Sequence, residues 1–293
     1  MEDIIIRGNE KNGKIRFFAA MTTSLVNDAH NIHITTPVVS AAFGRTLTAA
    51  AMMGTMLKGD NETLSIQLKG DGPLEGVVAV GNSKGEVRGY VLNNAVDLPL
   101  KPNGKLDVGG AIGRGYLTVV RDLKMREPYV GRVELQSGEV ADDLTYYFAS
   151  SEQIPSVVAL GVLVDRDYSI RAAGGYIIQL MPDAEEADIA KIEDNIKDIP
   201  SVTNMLESGL DPESIIGRVL DGFELQVTER MTPAYRCNCN ENSIKRALIS
   251  VGTEELKDIL AKEGAAELTC YYCNKTYKIS GEEIREILEK TKK

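Results

Sequence analysis

The residues of this sequence best suited to chemistry are its four cysteines, which form two close pairs near the C-terminus. One pair is Cys237-Asn238-Cys239 and the other is Cys270-Tyr271-Tyr272-Cys273; no other cysteine occurs among the 293 residues. Two such pairs joined by a loop suit one tetrahedral metal ion, because each pair supplies two thiolates from one turn of chain. Four sulfurs with no histidine nearby favour zinc. The spacing therefore predicts one Zn²⁺ ion per chain, bound by Cys237, Cys239, Cys270 and Cys273.

Two other uses of these thiols are compatible with their spacing. The pairs could form local disulfides in an exported protein, but Met1-Glu2-Asp3-Ile4 begins acidic and lacks the basic region and apolar core of a signal peptide. Cys270 and Cys273 could instead be the C-x-x-C motif of a thiol-disulfide oxidoreductase. That motif normally lies at a helix N-terminus, whereas the residues on both sides of this one predict a strand–turn–strand hairpin. In a reducing cytoplasm the thiols would stay free to bind metal.

The composition limits the classes of protein to which the chain can belong. Hydrophobic residues make up 43% and charged residues 26%, which is typical of a folded globular protein. The net charge of −10 opposes a zinc-ribbon adaptor for nucleic acid, because phosphate contacts require a basic surface. The longest apolar run, Pro37 to Leu57, contains Arg45 and predicts a buried helix rather than a membrane span. We therefore expect a soluble cytoplasmic protein with neither nucleic acid nor membrane as a partner.

The elements that position the cysteines divide the chain into three parts and predict an α+β fold. Residues 1–182 combine alternating strand patterns with a long apolar helix from Pro37, capped by Thr36, and predict a large domain in which a sheet is covered by helices. Residues 183–231 are acidic, with isoleucines at helical spacing, and predict a helical linker that depends on packing against its neighbours. Residues 232–293 predict a small zinc-binding α+β domain.

The small C-terminal domain is expected to depend on its metal. Its sequence predicts two helices between the cysteine pairs, Glu241–Ile249 and Glu254–Lys262, and a last helix opened by a capping box of Ser280 and Glu283. A domain of this size buries only a modest core, whereas zinc on thiolates contributes about 10–16 kcal/mol of folding free energy. The close spacing within each pair also permits local disulfides, which would remove all four ligands. The sequence thus permits a switch between a folded, metal-bound form and an oxidised, largely disordered form.

The larger domain shows no residues arranged as a catalytic centre, and we expect no enzymatic activity. The glycine-rich stretch from Gly109 to Gly115 matches neither a dinucleotide fingerprint nor a P-loop, and it predicts a turn between strands. His30 and His33 are the only histidines, and we expect them at the surface or in a turn. Glu152 is a lone acid for which the sequence shows no partner, and a polar network is its expected role.

These features resemble the redox-regulated bacterial heat-shock chaperone family (heat-shock protein 33), nearly from end to end. The two cysteine pairs at this spacing match the zinc motif of that family. The supporting stretches are Gly70-Asp71-Gly72-Pro73, Val87-Arg88-Gly89-Tyr90, Tyr146-Tyr147-Phe148-Ala149-Ser150-Ser151-Glu152-Gln153-Ile154-Pro155 and Ala172-Ala173-Gly174-Gly175-Tyr176-Ile177-Ile178-Gln179.

The resemblance implies an ATP-independent holdase that is latent while reduced and zinc-bound, and is activated by oxidative stress, particularly together with heat. It implies disulfides between Cys237 and Cys239 and between Cys270 and Cys273 in the oxidised form. It further implies that the zinc domain and the linker then unfold, and that apolar surface becomes available to unfolding client proteins. The active form is expected to be a homodimer.

Overall fold

The computed structural model describes residues 2–290, and the chain forms two compact units, residues 1–236 and 237–293. Each unit has a hydrophobic core of its own. The strands of the first unit are β1 (Ile4–Glu10), β2 (Ile15–Met21), β3 (Thr63–Gly70), β4 (Gly76–Asn82), β5 (Glu86–Val91), β6 (Gly115–Asp122), β7 (Tyr129–Glu134), β8 (Ser156–Val164), β9 (Ile170–Leu180), β10 (Leu225–Met231) and β11 (Ala234–Tyr235). Its helices are α1 (Thr23–His33), α2 (Pro37–Gly54), α3 (Val108–Ile112), α4 (Ala141–Ser150), α5 (Glu186–Lys197), α6 (Val202–Glu207) and α7 (Pro212–Val219).

The strands form two sheets, whereas the sequence predicted one. The first has the order β10-β1-β2-β9-β8 and the second the order β11-β5-β4-β3-β6-β7, and every pairing is antiparallel except the parallel pair of β11 and β5. The predicted apolar helix, α2, packs against both sheets. A helix that is apolar all round must be covered on several sides, and two sheets provide that cover.

A glycine allows α2 to approach the second sheet closely. A Cβ atom at Gly81, on β4, would lie 2.2 Å from the carbonyl oxygen of Ala50 on the helix.

Within residues 2–290 no helix is both long enough and apolar enough to span a membrane. The apolar run from Pro37 therefore forms a core helix, as predicted.

The predicted linker helices are confirmed, and they cover the face of the first sheet that points away from α2. Along β2, Phe18 packs in the core around α2, while Phe17 packs with α5, α6 and α7, as the alternation of side chains in a strand requires. Ser201 and Asp211 cap α6 and α7 through their side chains. The sequence did not predict β10, which pairs with β1 at the edge of the first sheet. The division into three functional parts stays a prediction.

The structure corrects the expectations for His33 and for the glycine-rich stretch. His33 is buried at the end of α1, where its Nε2 lies 2.9 Å from the Tyr235 hydroxyl and its ring packs edge-on against Phe43. His33 is a core residue, so the prediction that it lies at the surface or in a turn was wrong. The stretch from Gly109 forms the short helix α3, because the Asp107 carboxylate accepts a hydrogen bond from the Gly110 amide and caps it.

The second unit is a small α+β structure, as predicted. Its elements are α8 (Glu241–Val251), α9 (Thr253–Lys262), β12 (Ala265–Thr269), β13 (Thr276–Ser280) and α10 (Gly281–Lys290). The two strands form an antiparallel hairpin. The predicted capping box is present, since the Ser280 amide donates to the Glu283 carboxylate at 2.9 Å and the Glu283 amide donates to the Ser280 hydroxyl at 3.3 Å. The buried side chains of its core are Ile244, Leu248, Leu256, Ala266, Ile279, Ile284, Ile287 and Leu288.

Candidate metal centre

The second cysteine pair lies in the turn that joins β12 to β13. The Cys270 amide donates to the Lys275 carbonyl at 3.0 Å, while the amides of Cys273 and Asn274 donate to the Cys270 carbonyl at 3.3 and 2.8 Å. Asn274 has a φ of 55°, a left-handed conformation that asparagine tolerates and that lets the chain turn back into β13. These bonds fold the turn so that both thiols project from one short loop. The predicted strand–turn–strand position of the C-x-x-C is confirmed.

The first cysteine pair lies in a segment without regular secondary structure that precedes α8. Asn240 directly follows Cys239 and caps the helix, because its side-chain oxygen accepts a hydrogen bond from the Ser243 amide at 2.9 Å. The Asn240 amide in turn donates to the Ser243 hydroxyl, also at 2.9 Å. This reciprocal cap fixes where the helix begins and therefore fixes the backbone next to Cys239.

The structure brings all four predicted cysteines together. Their sulfur atoms all lie within 4.8 Å of one another, with 3.8 Å between Cys237 and Cys270 and 3.4 Å between Cys239 and Cys273. A tetrahedral ion with zinc–sulfur bonds of about 2.3 Å requires sulfur atoms about 3.8 Å apart. Four sulfur donors at this separation fit one such ion. None of the four cysteines forms a disulfide. The identity of the ion and the disulfide pairing after oxidation stay predictions.

The thiols differ in how readily they ionise. Burial raises the pKa of Cys237 and that of Cys273. Burial also opposes ionisation of Cys239, but hydrogen bonds from the Tyr277 hydroxyl and from the neighbouring thiols outweigh it and lower its pKa to about 7. The environment of the site therefore favours the ionised form of Cys239 over those of Cys237 and Cys273.

Tyr277 is a residue of the site that the sequence reasoning missed. Its hydroxyl lies 3.2 Å from the Cys239 sulfur and 3.2 Å from the Cys239 carbonyl oxygen, so its single proton can be donated to either acceptor. A hydrogen-bond donor that contacts a metal-binding side chain, rather than the metal, orients that side chain and stabilises its negative charge. The sequence does place Tyr277 on the strand that follows the second cysteine pair, so its closeness to that pair could have been predicted. Its contact with Cys239 could not, because the two residues are far apart along the chain.

Comparisons with known proteins agree with one another along the whole chain. A family model described as Hsp33 protein matches residues 3–280. A 33 kDa chaperonin of Ruminiclostridium cellulolyticum is 48% identical over 293 residues, and the match covers 100% of both chains. Another protein of that name, from Geobacillus kaustophilus, is 49% identical over 294 residues with the same coverage.

A solved structure shows the same fold. The crystal structure of the 33 kDa chaperonin (heat shock protein 33 homolog) from Thermotoga maritima matches with a TM-score of 0.92 and 39% sequence identity. The match covers 99% of each chain, so it includes both units.

Proposed function

Because the chain belongs to the Hsp33 family, we propose that it is a redox-regulated chaperone that holds unfolding proteins without using ATP. It is latent while its four cysteines are reduced and hold one Zn²⁺ ion, and active once they are oxidised. Its partners are unfolded or oxidatively damaged proteins, and its active form is a homodimer in the cytoplasm. The names of the relatives, 33 kDa chaperonin, support the binding of client proteins.

The observation that carries this proposal is the convergence of four free thiols in a unit with a small core of its own. Among the described residues, the buried part of that core consists of eight apolar side chains. A core of this size supplies only a few kcal/mol, whereas a structural zinc ion contributes about 10–16 kcal/mol. When bound, the ion would tie the start of the unit to the hairpin. Loss of the sulfur ligands would therefore unfold the unit.

Oxidation removes the ligands in balanced steps. Cys237 and Cys239 together give two electrons to one hydrogen peroxide molecule, and Cys270 and Cys273 give two to a second. Each pair of thiolates forms one sulfur–sulfur bond, and each peroxide takes up two protons and becomes two water molecules.

Activation in this proposal also involves the linker, which precedes the small unit. The apolar faces of α5, α6 and α7 cover the side of the first sheet that carries Phe17 and Ile178. Each of these helices is short and depends on that packing for its stability. If the linker detaches after the small unit unfolds, this apolar sheet face and the linker's own apolar residues become available to clients.

The proposal is tested by light scattering from a chemically unfolded client protein as it aggregates. The chaperone is added either reduced and zinc-loaded or after oxidation by warm peroxide. We expect suppression of scattering only by the oxidised form. A third sample is oxidised and then treated with dithiothreitol and zinc, and it should regain latency because disulfides are reduced while oxidised methionines are not.

Equal suppression by the reduced and oxidised forms would mean a constitutive binder in which the metal is merely structural. The oxidoreductase alternative predicts instead that the reduced protein catalyses the reduction of insulin disulfides, and that Cys273→Ser abolishes this activity. The C-x-x-C lies in a hairpin turn rather than in the first turn of a helix, and this position disfavours that alternative.

A further inference from the structure

A cavity of about 350 Å³ lies in the first unit, beside the C-terminal end of α2 and between the two sheets. Most of its wall is apolar and consists of Met53, Met56, Leu57, Leu123, Phe148 and Ile154. Its polar groups include Arg16 from β2, Gln179 from β9 and Arg121 from β6. The cavity thus combines an apolar wall with cationic side chains, and its residues take no part in the metal centre.

Arg16 is a fixed cation without a carboxylate partner. Within residues 2–290, no carboxylate oxygen lies within 4.0 Å of its guanidinium nitrogens, and its Nε donates to the Gln179 side-chain oxygen at 2.7 Å. Gln179 is fully buried and is held in turn by Ser156, to whose hydroxyl its amide donates at 3.3 Å. An arginine has five N–H donors. The buried glutamine therefore orients the guanidinium, and most of the N–H donors of Arg16 remain available to a ligand.

Two acids, Glu62 and Glu152, line the cavity, and both are engaged by other groups. The Glu62 carboxylate accepts a hydrogen bond from the Lys58 amide at 3.0 Å. Glu152, expected from the sequence to join a polar network, pairs with Arg121 at 2.7 Å and accepts a hydrogen bond from the Tyr147 hydroxyl at 2.5 Å. Its charge is therefore offset by Arg121, and Arg16 adds a further positive charge. Burial lowers the pKa of Arg16, and the positive charge of Arg121 lowers it further. The negative charge of Glu152 acts in the opposite direction, and an anion bound next to Arg16 would add to it.

We propose that this cavity binds a small amphipathic carboxylate, such as a medium-chain fatty acid, with its carboxylate on Arg16 and its chain along the apolar wall. A guanidinium binds a carboxylate through two parallel hydrogen bonds, which matches the geometry of its free donors. At about 30 Å³ per water-sized group, the cavity has room for roughly twelve such groups. Octanoate, with ten non-hydrogen atoms, fits this volume. Inorganic phosphate would leave the apolar wall without a contact.

The test is calorimetric titration of the full-length, reduced and zinc-loaded protein with sodium octanoate. We expect one saturable site per chain, and Arg16→Gln should weaken binding at least tenfold because it removes the charge. The matched control is Arg132→Gln. Arg132 stacks over the Tyr116 ring at 3.8 Å and is not part of the cavity wall, so its removal should leave the affinity unchanged.

Two further ligands test the chemistry on the wild-type protein alone, so the result does not depend on how the variant folds. Octanol lacks the charge and phosphate lacks the chain, and we expect both to bind at least tenfold more weakly than octanoate. The proposal is overturned if octanoate shows no saturable binding. It is equally overturned if octanol binds as tightly as octanoate, or if folded Arg16→Gln protein binds octanoate like the wild type.

Discussion

Replacing Leu248 by alanine should weaken zinc binding, although Leu248 is not a metal ligand. Leu248 lies on α8, is 2% exposed and belongs to the core of the small unit. If the metal-free unit is unfolded, as proposed, zinc must supply the free energy that folds it. Any loss of folding free energy then appears in full as a loss of apparent zinc affinity.

The size of the effect follows from the burial of the side chain. Truncating a buried leucine to alanine costs about 2–5 kcal/mol, and a small unit that can partly close the cavity belongs at the lower end of that range. A loss of about 2–3 kcal/mol corresponds to roughly a 30- to 150-fold weaker apparent zinc affinity. A unit that is already folded without metal would instead show almost no change.

The assay is competition for zinc with a chromogenic chelator under reducing conditions, and the chain offers a matched control. Ile249, the next residue on α8, is 41% exposed, so Ile249→Ala removes a similar side chain from a site that packs far less. We expect the affinity of Ile249→Ala to stay within about threefold of the wild type. Equal zinc affinity for Leu248→Ala and Ile249→Ala would refute the coupling of metal binding to folding.

Three further predictions concern other parts of the structure. Tyr277→Phe should lower zinc affinity by roughly 10- to 100-fold in the same competition assay, because it removes the hydroxyl that contacts Cys239. An unchanged affinity would show that the hydroxyl is irrelevant to the site. Gly81→Ala should lower the melting temperature of the first unit in calorimetry, because the new Cβ would lie 2.2 Å from the Ala50 carbonyl oxygen, whereas Gly217→Ala, with no neighbour within 4 Å, should not. Burial raises the pKa of Glu139, but its hydrogen bonds to Lys101 and Arg45 outweigh burial and leave the pKa below its ordinary value of 4.5. The ionised carboxylate therefore stabilises the fold above about pH 4.5. This contribution is lost as the pH falls through the lowered pKa. Glu139→Gln should therefore melt at a lower temperature than the wild type at pH 7, with a difference that shrinks below pH 4.5; a difference independent of pH would contradict this assignment.

The features that the sequence predicted correctly depend on short stretches of chain. The clustering of the four thiols followed from residue type and spacing alone, because each cysteine pair is local and only one loop must close to join them. The caps of α6 and α7 by Ser201 and Asp211 were predictable for the same reason, since a cap involves neighbouring residues. The family resemblance, which rested on several such local stretches, was confirmed by the match over residues 3–280.

The features that the sequence did not predict depend on contacts between distant residues. The pairing of β1 with β10 joins residues near the two ends of the first unit, and no local pattern specifies it. The run from Val157 to Val164 is apolar throughout, so it lacks the alternation that would distinguish a strand from a buried helix. His33 was treated as polar, although its buried ring completes the apolar face of α1.

The cavity at Arg16 shows the same limitation at the level of side chains. Arg16, Arg121 and Gln179 come from three strands in two different sheets. Nothing in the sequence near Arg16 indicates that a buried glutamine will hold its guanidinium. Only the fold reveals that this arginine has no acidic partner within 4.0 Å among the described residues.

The coupling of zinc release to client binding can be measured by hydrogen exchange on the full-length protein before and after oxidation by warm peroxide. Zinc release and client binding are measured on the same samples. We expect oxidation to release one zinc ion per chain and to remove amide protection from residues 237–290, while the strands around α2 stay protected and client binding appears. Client binding by a form that retains its zinc and the protection of residues 237–290 would show that the switch does not operate in this way.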